Sequence, residues 1–153
     1  MAAREFRWNA WAMAGVSIAA FFMLPTLGAV PTYPRLHTPE LAQLSAWAHA
    51  ATSRDAVFLF ADAGKHLEPG IFRSEAERAI YADWKGGGQV NYIAGLALEW
   101  WSRWQTVLAR PYNPNAGIDY RALGIDYVVL SPQHRLAGRT PAFENSRYIA
   151  YAL

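Results

Sequence analysis

The hydrophobic pattern is most pronounced near the N-terminus. No charged side chain lies between Arg7 and Arg35, and residues 8–30 are apolar over a length that crosses about 30 Å of hydrocarbon as a helix of roughly 20 residues. The pattern predicts a transmembrane helix within residues 1–30. Because Arg4 and Arg7 precede this helix, the positive-inside rule places the N-terminus in the cytoplasm and the main domain outside it, in the periplasm.

A cleavable signal peptide is the main alternative interpretation of this segment. A buried core helix fits less well than either of these two, because the stretch is long and has no polar face. The basic start, the apolar stretch and the small residues Gly28 and Ala29 fit a signal peptide, whereas Leu27 fits poorly at the third position before a cut after Ala29. Both leading interpretations export residues 31–153.

Beyond residue 30 the pattern becomes periodic. Residues 31–37 read as a stiff, proline-containing linker. Thr38, Pro39 and Glu40 are typical of a helix start, with a hydroxyl cap, a proline at the first position and a carboxylate at the positive end of the dipole. Apolar residues then recur with helical spacing at Leu41, Leu44, Trp47, Ala48 and Ala51. The sequence thus predicts a domain over residues 38–153 that begins with a helix.

Four segments of this domain predict strands. Residues 56–60 and 125–130 are short apolar runs typical of strands that are covered on both faces. Residues 78–85 alternate, with apolar side chains on one face and Tyr81, Asp83 and Lys85 on the other. Residues 147–153 predict a terminal strand.

A second helix is predicted between the strands, from residue 93 to the prolines at 111 and 114. Its apolar residues recur at helical spacing, at Ile93, Leu96, Ala97, Trp100, Trp101, Trp104, Val107 and Leu108. Trp100 and Trp104 continue this stripe and are expected in the core, whereas Trp101 and Trp84 fit either the core or the surface. The element order predicts the α/β class: an N-terminal transmembrane helix followed by a small three-layer α/β domain with a mixed sheet.

Composition narrows the classes of function. The net charge is only +2 and the arginines form no cluster, so no nucleic-acid partner is expected. The absence of cysteine excludes disulfides and thiolate metal sites. The four histidines lack metal-ligand spacing, and we expect neither a metal nor a cofactor.

Three groups of polar residues are candidates for binding. Asp83 and Lys85 border the glycines 86–88, with Arg78 on the opposite strand face; this group is either a ligand site or a salt-bridged sheet edge. Asp62, Lys65 and His66 follow the first buried strand, where α/β sheets often bind ligands. Arg103 lies one turn from Glu99, which favours a surface ion pair.

Two further motifs can be interpreted either structurally or functionally. Glycines 86–88 are a flexible connector or an anion-binding loop, and they lack the flanking residues of an ATP or NAD motif. Ser131 precedes Pro132 and is interpreted as the end of a strand rather than as a nucleophile.

Several segments together have a familiar order: DAVFLF, FRSEAERAIYADWK, EWWSRW, GIDYVVLS and ENSRYIAYAL. Over residues 8–153 they resemble the C-terminal extramembrane domain, with the last span, of bacterial multi-spanning membrane proteins related to the glycosyltransferase C superfamily. The resemblance implies sugar transfer from lipid-linked donors at the outer face of the membrane in the complete proteins. Their catalytic acidic residues lie in an external loop that has no counterpart here, so no catalytic residue is carried over.

The resemblance also suggests a role for this chain. Arg78, Asp83, Lys85 and Arg103 match its recurrent polar positions and are expected to bind ligand or to stabilise the domain. We expect a membrane-anchored extracytoplasmic domain that assists lipid-linked sugar transfer or envelope assembly without self-sufficient catalysis. Its expected partners are the lipid bilayer, a multi-spanning membrane protein and a lipid-linked sugar or glycan. The alternatives are a small exported enzyme that uses the neighbourhood of Asp62, Lys65, His66 and Asp83, or a structural subunit of a membrane complex.

Overall fold

The computed structural model describes residues 2–28 and 33–153. Residues 29–32, which contain part of the predicted cleavage site and of the predicted linker, lie outside the described residues, as does Met1. The chain divides into two compact units, residues 1–36 and residues 37–153.

The N-terminal unit consists of helix α1 (Ala2–Thr26) and the single turn α2 (Tyr33–Leu36). Large apolar side chains of α1, such as Trp11 and Phe21, are exposed. Among the residues that the structure describes, no helix combines the length and apolarity needed to cross a membrane. The predicted transmembrane helix is therefore not supported.

The C-terminal unit contains both predicted helices. Helix α3 (Pro39–Ala51) begins at Thr38, whose side chain accepts a hydrogen bond from the backbone N–H of Leu41 at 3.3 Å. Two further helices, α4 (Glu68–Ala76) and α5 (Trp84–Val90), lie where no helix was predicted. Helix α6 (Ala94–Val107) agrees with the predicted second helix.

In the part of the chain that the structure describes, five strands form one mixed sheet in the order β2-β1-β3-β5-β4, which confirms the predicted α/β domain. Strand β1 is parallel to both of its neighbours, whereas β5 is antiparallel to β3 and β4. Strand β4 was not predicted. The strands are β1 (Val57–Phe60), β2 (Ala79–Ile80), β3 (Tyr127–Leu130), β4 (Phe143–Glu144) and β5 (Ile149–Ala152).

The sheet is covered on both faces. Alternate residues of a strand point to opposite faces, so Phe58 and Phe60 pack with α3 and α4, whereas Leu59 packs with α6. The first core includes Leu41, Leu44 and Phe72, and the second includes Trp104, Val107 and Tyr151. Helices on both faces of a single sheet give the three layers that the sequence predicted.

The predicted strand over residues 78–85 is wrong beyond its first residues. Only Ala79 and Ile80 pair with the sheet, and Asp83 caps helix α5 instead of alternating along a strand. Glycines 86–88 consequently belong to a helix and are not a loop. Glycine is a poor helix former, but at residue 87 any side chain would collide with the ring of Trp100, so packing of α5 against α6 requires glycine there.

Candidate functional site

The carboxyl ends of β1 and β3 form the point where the chain connections diverge. From β1 the chain passes through α4 to β2 on one side, and from β3 it continues to β4 and β5 on the other side. Helices α4 and α6 pack on opposite faces of the sheet. The loops after adjacent parallel strands separate at such a switch point and leave a crevice, where α/β sheets characteristically bind ligands.

Three polar side chains converge at this switch point. Asp62 follows β1, and Ser131 and His134 follow β3, about seventy residues later in the chain. The Oδ2 atom of Asp62 accepts hydrogen bonds from the Ser131 backbone N–H at 2.8 Å and from the Ser131 hydroxyl at 2.5 Å. It also lies 2.7 Å from Nδ1 of His134. One carboxylate thus joins the ends of two neighbouring strands and orients an imidazole.

Asp62 and Ser131 open onto a cavity of about 320 Å³, which we call the switch-point cavity. Its charged or titratable lining includes both signs: Asp62, His66, Glu68 and Arg147. Arg147 lies 3.9 Å from Glu68, a loose pair.

Tyr148 also lines the switch-point cavity but is only 9% exposed. Its hydroxyl is buried and has no hydrogen-bond partner among the described residues. Burial raises the pKa of Tyr148 to about 12, because the charged phenolate is desolvated there.

The amino end of the same strand pair provides a useful comparison. There the Oδ2 atom of Asp126 accepts a hydrogen bond from the Val57 backbone N–H at 2.8 Å. At each end of the β1–β3 pair, a carboxylate that flanks one strand therefore accepts a hydrogen bond from a backbone N–H at the end of the other strand. Of these two carboxylates, only that of Asp62 also contacts a serine hydroxyl and a histidine and borders the switch-point cavity.

The predicted group of Asp62, Lys65 and His66 is only partly assembled. Asp62 and His66 line the switch-point cavity. Lys65 instead places its Nζ atom 4.5 Å from the centre of the Trp84 ring.

Arg78, predicted on a strand face, is a buried structural residue. It is 7% exposed and lies just before β2. Its guanidinium donates to the carbonyls of His49 and Thr52 at the end of α3 and to those of Ala76 and Glu77 at the end of α4, and Nε donates to the Thr52 hydroxyl. The last carbonyls of a helix lack partners within it, so one arginine satisfies two helix ends.

Asp83 joins three helices. Its Oδ1 atom accepts from the N–H of Gly86 at the start of α5, its Oδ2 atom lies 3.4 Å from Arg73 of α4, and its carbonyl accepts from the indole of Trp100 in α6. The predicted sharing of a strand face by Asp83 and Lys85 is wrong, because Lys85 projects from the first turn of α5.

Arg103 forms the predicted surface ion pair with Glu99 and also lies over the ring of Tyr81 at 5.2 Å. Arg103 and Asp83 do line one small cleft of about 270 Å³. Asp83 is almost completely buried at the start of α5, and Arg103 is paired with Glu99 on the helix surface, so we assign both residues to the stability of the fold.

A larger cavity of about 570 Å³ is lined by Tyr112, Tyr120, Asp119 and Arg139, among others. Burial raises the pKa of both tyrosines. Asp119 closes a turn by accepting from the N–H of Ala122 at 3.1 Å. We place the candidate site at the smaller switch-point cavity because the polar ends of two strands converge only there among the cavities of the described chain.

Ser131 and His134 were missed in the sequence. The signal was present, since both come directly after a buried strand, which is the rule that selected Asp62. Applied to β3 as well as to β1, the same rule selects both sides of the site.

Comparison with protein families gives a match over part of the chain. Residues 39–107 match the family described as a domain of unknown function, DUF6798. The matched region runs from α3 to α6 and ends before β3, so it contains Asp62 but neither Ser131 nor His134. Neither the curated proteins nor the solved structures give a match.

Proposed function

We propose that the chain is an extracytoplasmic binding domain of a membrane glycosyltransferase-like system, and that the switch-point cavity receives the hydroxyl-rich part of a glycan or lipid-linked sugar. One observation carries the proposal. Asp62, Ser131 and His134 converge at the carboxyl ends of β1 and β3, beside a cavity with donors and acceptors on its walls.

The charges of the cavity favour a neutral polyol over an anion. Asp62 and Glu68 are acceptors for sugar hydroxyls, and Arg147 and His66 are donors. A phosphate in the same space would meet two carboxylates, and like charges at short range oppose binding. The phosphate of a lipid-linked sugar is therefore expected outside the switch-point cavity.

The geometry favours binding over nucleophilic catalysis. In a serine hydrolase the histidine lies between the serine and the carboxylate and removes the serine proton. Here the Ser131 hydroxyl and Nδ1 of His134 both contact the same oxygen of Asp62, and they lie 3.4 Å from each other. The carboxylate thus engages the serine directly, which orients the hydroxyl but does not activate it through the imidazole.

The membrane context of the proposal comes from the N-terminal segment and from the resemblance. The N-terminal segment exposes large apolar side chains along α1, which favours attachment to a bilayer. The placement of residues 31–153 on the outer side comes from the resemblance. A multi-spanning partner would supply the catalytic carboxylates, for which the resemblance gives no counterpart in this chain.

The binding claim is tested by titrating the full chain with neutral and acidic oligosaccharides of defined length in a calorimeter. Asp62→Asn is expected to weaken neutral oligosaccharide binding at least tenfold. Asp126→Asn is the matched control, because Asp126 makes the same kind of strand-end hydrogen bond without facing the switch-point cavity. Equal affinity in the Asp62 variant, the Asp126 variant and the unaltered chain would refute the proposed site.

The location is tested separately. Because the chain lacks cysteine, a Thr140→Cys variant carries one thiol in an exposed loop of the C-terminal unit. A maleimide that cannot cross membranes is expected to label it in intact spheroplasts. Labelling that requires lysis would place the domain in the cytoplasm.

A second candidate function, that of a small exported enzyme, is favoured by one contact. Asp62 orients His134 through Nδ1, and an imidazole held in this way can act as a general base. This function predicts that His134→Gln abolishes turnover of a bound oligosaccharide while its affinity stays within about twofold.

A further inference from the structure

The exposed large apolar side chains of the C-terminal unit are confined to one segment. Within residues 37–153 all of them lie between positions 84 and 101. We call this surface the aromatic patch; it comprises Trp84, Tyr92, Ile93, Leu96, Leu98 and Trp101. Tyr92 and Leu98 are 93% and 72% exposed. Large apolar side chains concentrated in one exposed segment in this way are typical of an interaction site.

The position of α6 explains the exposure. The C-terminal half of this helix packs on the sheet through Trp104 and Val107, whereas its N-terminal half presents Leu98 and Trp101 outward. The patch has a rigid base, because Trp84 packs against both Trp100 and Trp104, and Gly87 allows α5 to approach Trp100 closely.

The charges beside the aromatic patch are positive. Lys85 lines the cleft between Trp84 and Trp101, and Lys65 lies over the Trp84 ring. Two carboxylates adjoin the patch in sequence: Glu99 is paired with Arg103, and Asp83 is buried at the start of α5. The surface therefore combines aliphatic and tryptophan side chains with two lysines.

We propose that the aromatic patch docks the domain onto the surface of an anionic lipid bilayer. Tryptophan and tyrosine favour the boundary between headgroups and hydrocarbon, and lysine extends its charge toward anionic headgroups. A sugar platform is less consistent with the composition, because Ile93, Leu96 and Leu98 offer no flat ring for stacking. This inference rests on the proposed function only for the presence of a membrane, and it does not require the switch-point cavity to bind a glycan.

The test uses the full chain with a single introduced cysteine that carries a polarity-sensitive fluorophore. Leu98→Cys places the fluorophore in the aromatic patch, and Thr140→Cys places it in an exposed loop outside the patch. Each protein is mixed with phosphatidylcholine vesicles that contain or lack phosphatidylglycerol, and sedimentation records how much protein is bound. Because α1 is common to both proteins, the difference between the two fluorophores isolates the patch.

We expect emission at position 98 to rise several-fold and shift to the blue on anionic vesicles, with quenching by lipids brominated on the acyl chain. Emission at position 140 should stay unchanged. Lys65→Gln and Lys85→Gln, each introduced into the Leu98→Cys protein, should each weaken binding to anionic vesicles by about fivefold.

Three results would overturn the proposal. The first is a fluorophore at position 98 that remains in water, whether or not the protein binds vesicles. The second is a blue shift on adding neutral oligosaccharide without vesicles, which would assign the patch to sugar. The third is a shift that depends only on protein concentration, which would assign it to a second copy of the chain. A failure of oligosaccharide binding at Asp62 would leave this result unaffected.

Discussion

Arg78 and Asp62 are both charged residues at the ends of strands, but their surroundings differ. Every N–H group of the Arg78 guanidinium donates to an oxygen of the same protein, and the residue is buried. Asp62 also binds the chain's own groups, yet it does so at the wall of a cavity that contains Arg147 and Glu68. A charge whose hydrogen-bonding capacity is filled from within stabilises the fold, and one beside an open polar cavity is available to a ligand.

This comparison predicts that mutations at the two kinds of residue affect different quantities, either stability or ligand affinity. Changes around Arg78 and Asp83 should lower the free energy of unfolding and leave the affinity of the remaining folded protein unaltered. Changes around Asp62 should lower affinity. The following experiments run from the largest expected effect on stability to the smallest.

Arg78→Met is expected to lower the free energy of unfolding by about 3 kcal/mol or more, because it leaves several buried carbonyls at two helix ends without partners. Urea unfolding followed by circular dichroism measures the change. Arg78→Lys should recover little, since an ammonium group cannot reach the same five acceptors in a planar arrangement.

Arg103→Met is the matched control for Arg78→Met, because Arg103 is an exposed arginine in an ion pair. If the two substitutions cost the same, the buried guanidinium would not be the structural residue described above.

Tyr148 gives a pH-dependent effect next to the switch-point cavity. Its pKa is about 12 in the folded protein, against an ordinary value of 10.0. The unfolded chain therefore releases the phenolic proton of Tyr148 first as the pH rises. The contribution of this group to stability is fully present below about pH 10 and is lost between about pH 10 and 12. The loss is expected to reach about 2 to 3 kcal/mol.

Denaturant unfolding between pH 8 and 12 measures this slope, and Tyr148→Phe should reduce it, leaving the contributions of Tyr112 and Tyr120, whose pKa values burial also raises. At pH 7 the same substitution should change stability by less than about 1 kcal/mol, because the hydroxyl that it deletes is unpaired among the described residues. An unchanged slope in the phenylalanine variant would assign the titration to another tyrosine.

The sequence predicted those parts of the fold that depend on local pattern. Helix α3, helix α6 and strands β1 and β3 follow from capping residues, helical spacing and apolar runs. The alternation over residues 78–85 was misleading, because Asp83 caps a glycine-rich helix that owes its place to packing against Trp100. Tertiary contact outweighs local propensity there.

Only part of the candidate site could be selected from the sequence, for a similar reason. Asp62 and His66 could be selected because they follow an apolar run that is recognisable by itself. That Ser131 and His134 meet Asp62 depends on the pairing of β1 with β3, which brings together residues about seventy positions apart. A single sequence without the strand order does not contain that neighbour relation.

Asp83→Ala is expected to lower the free energy of unfolding by about 1 kcal/mol, the usual effect of removing a helix N-cap. Asp83→Asn should restore much of this loss, since an amide oxygen can still accept from the N–H of Gly86. Thermal unfolding of both variants measures the difference. Oligosaccharide binding that falls with Asp83→Ala while stability is unchanged would move the site to the cleft at Arg103.

The Glu99–Arg103 pair should have the smallest effect. Both side chains are exposed and lie one helical turn apart, a geometry whose coupling is about 0.2 to 0.5 kcal/mol and declines with salt. A double-mutant cycle of Glu99→Gln and Arg103→Gln at low and high ionic strength measures this coupling. A coupling above about 1 kcal/mol that persists at high salt would show a desolvated pair. Arg103 would then be a structural residue, as Arg78 is.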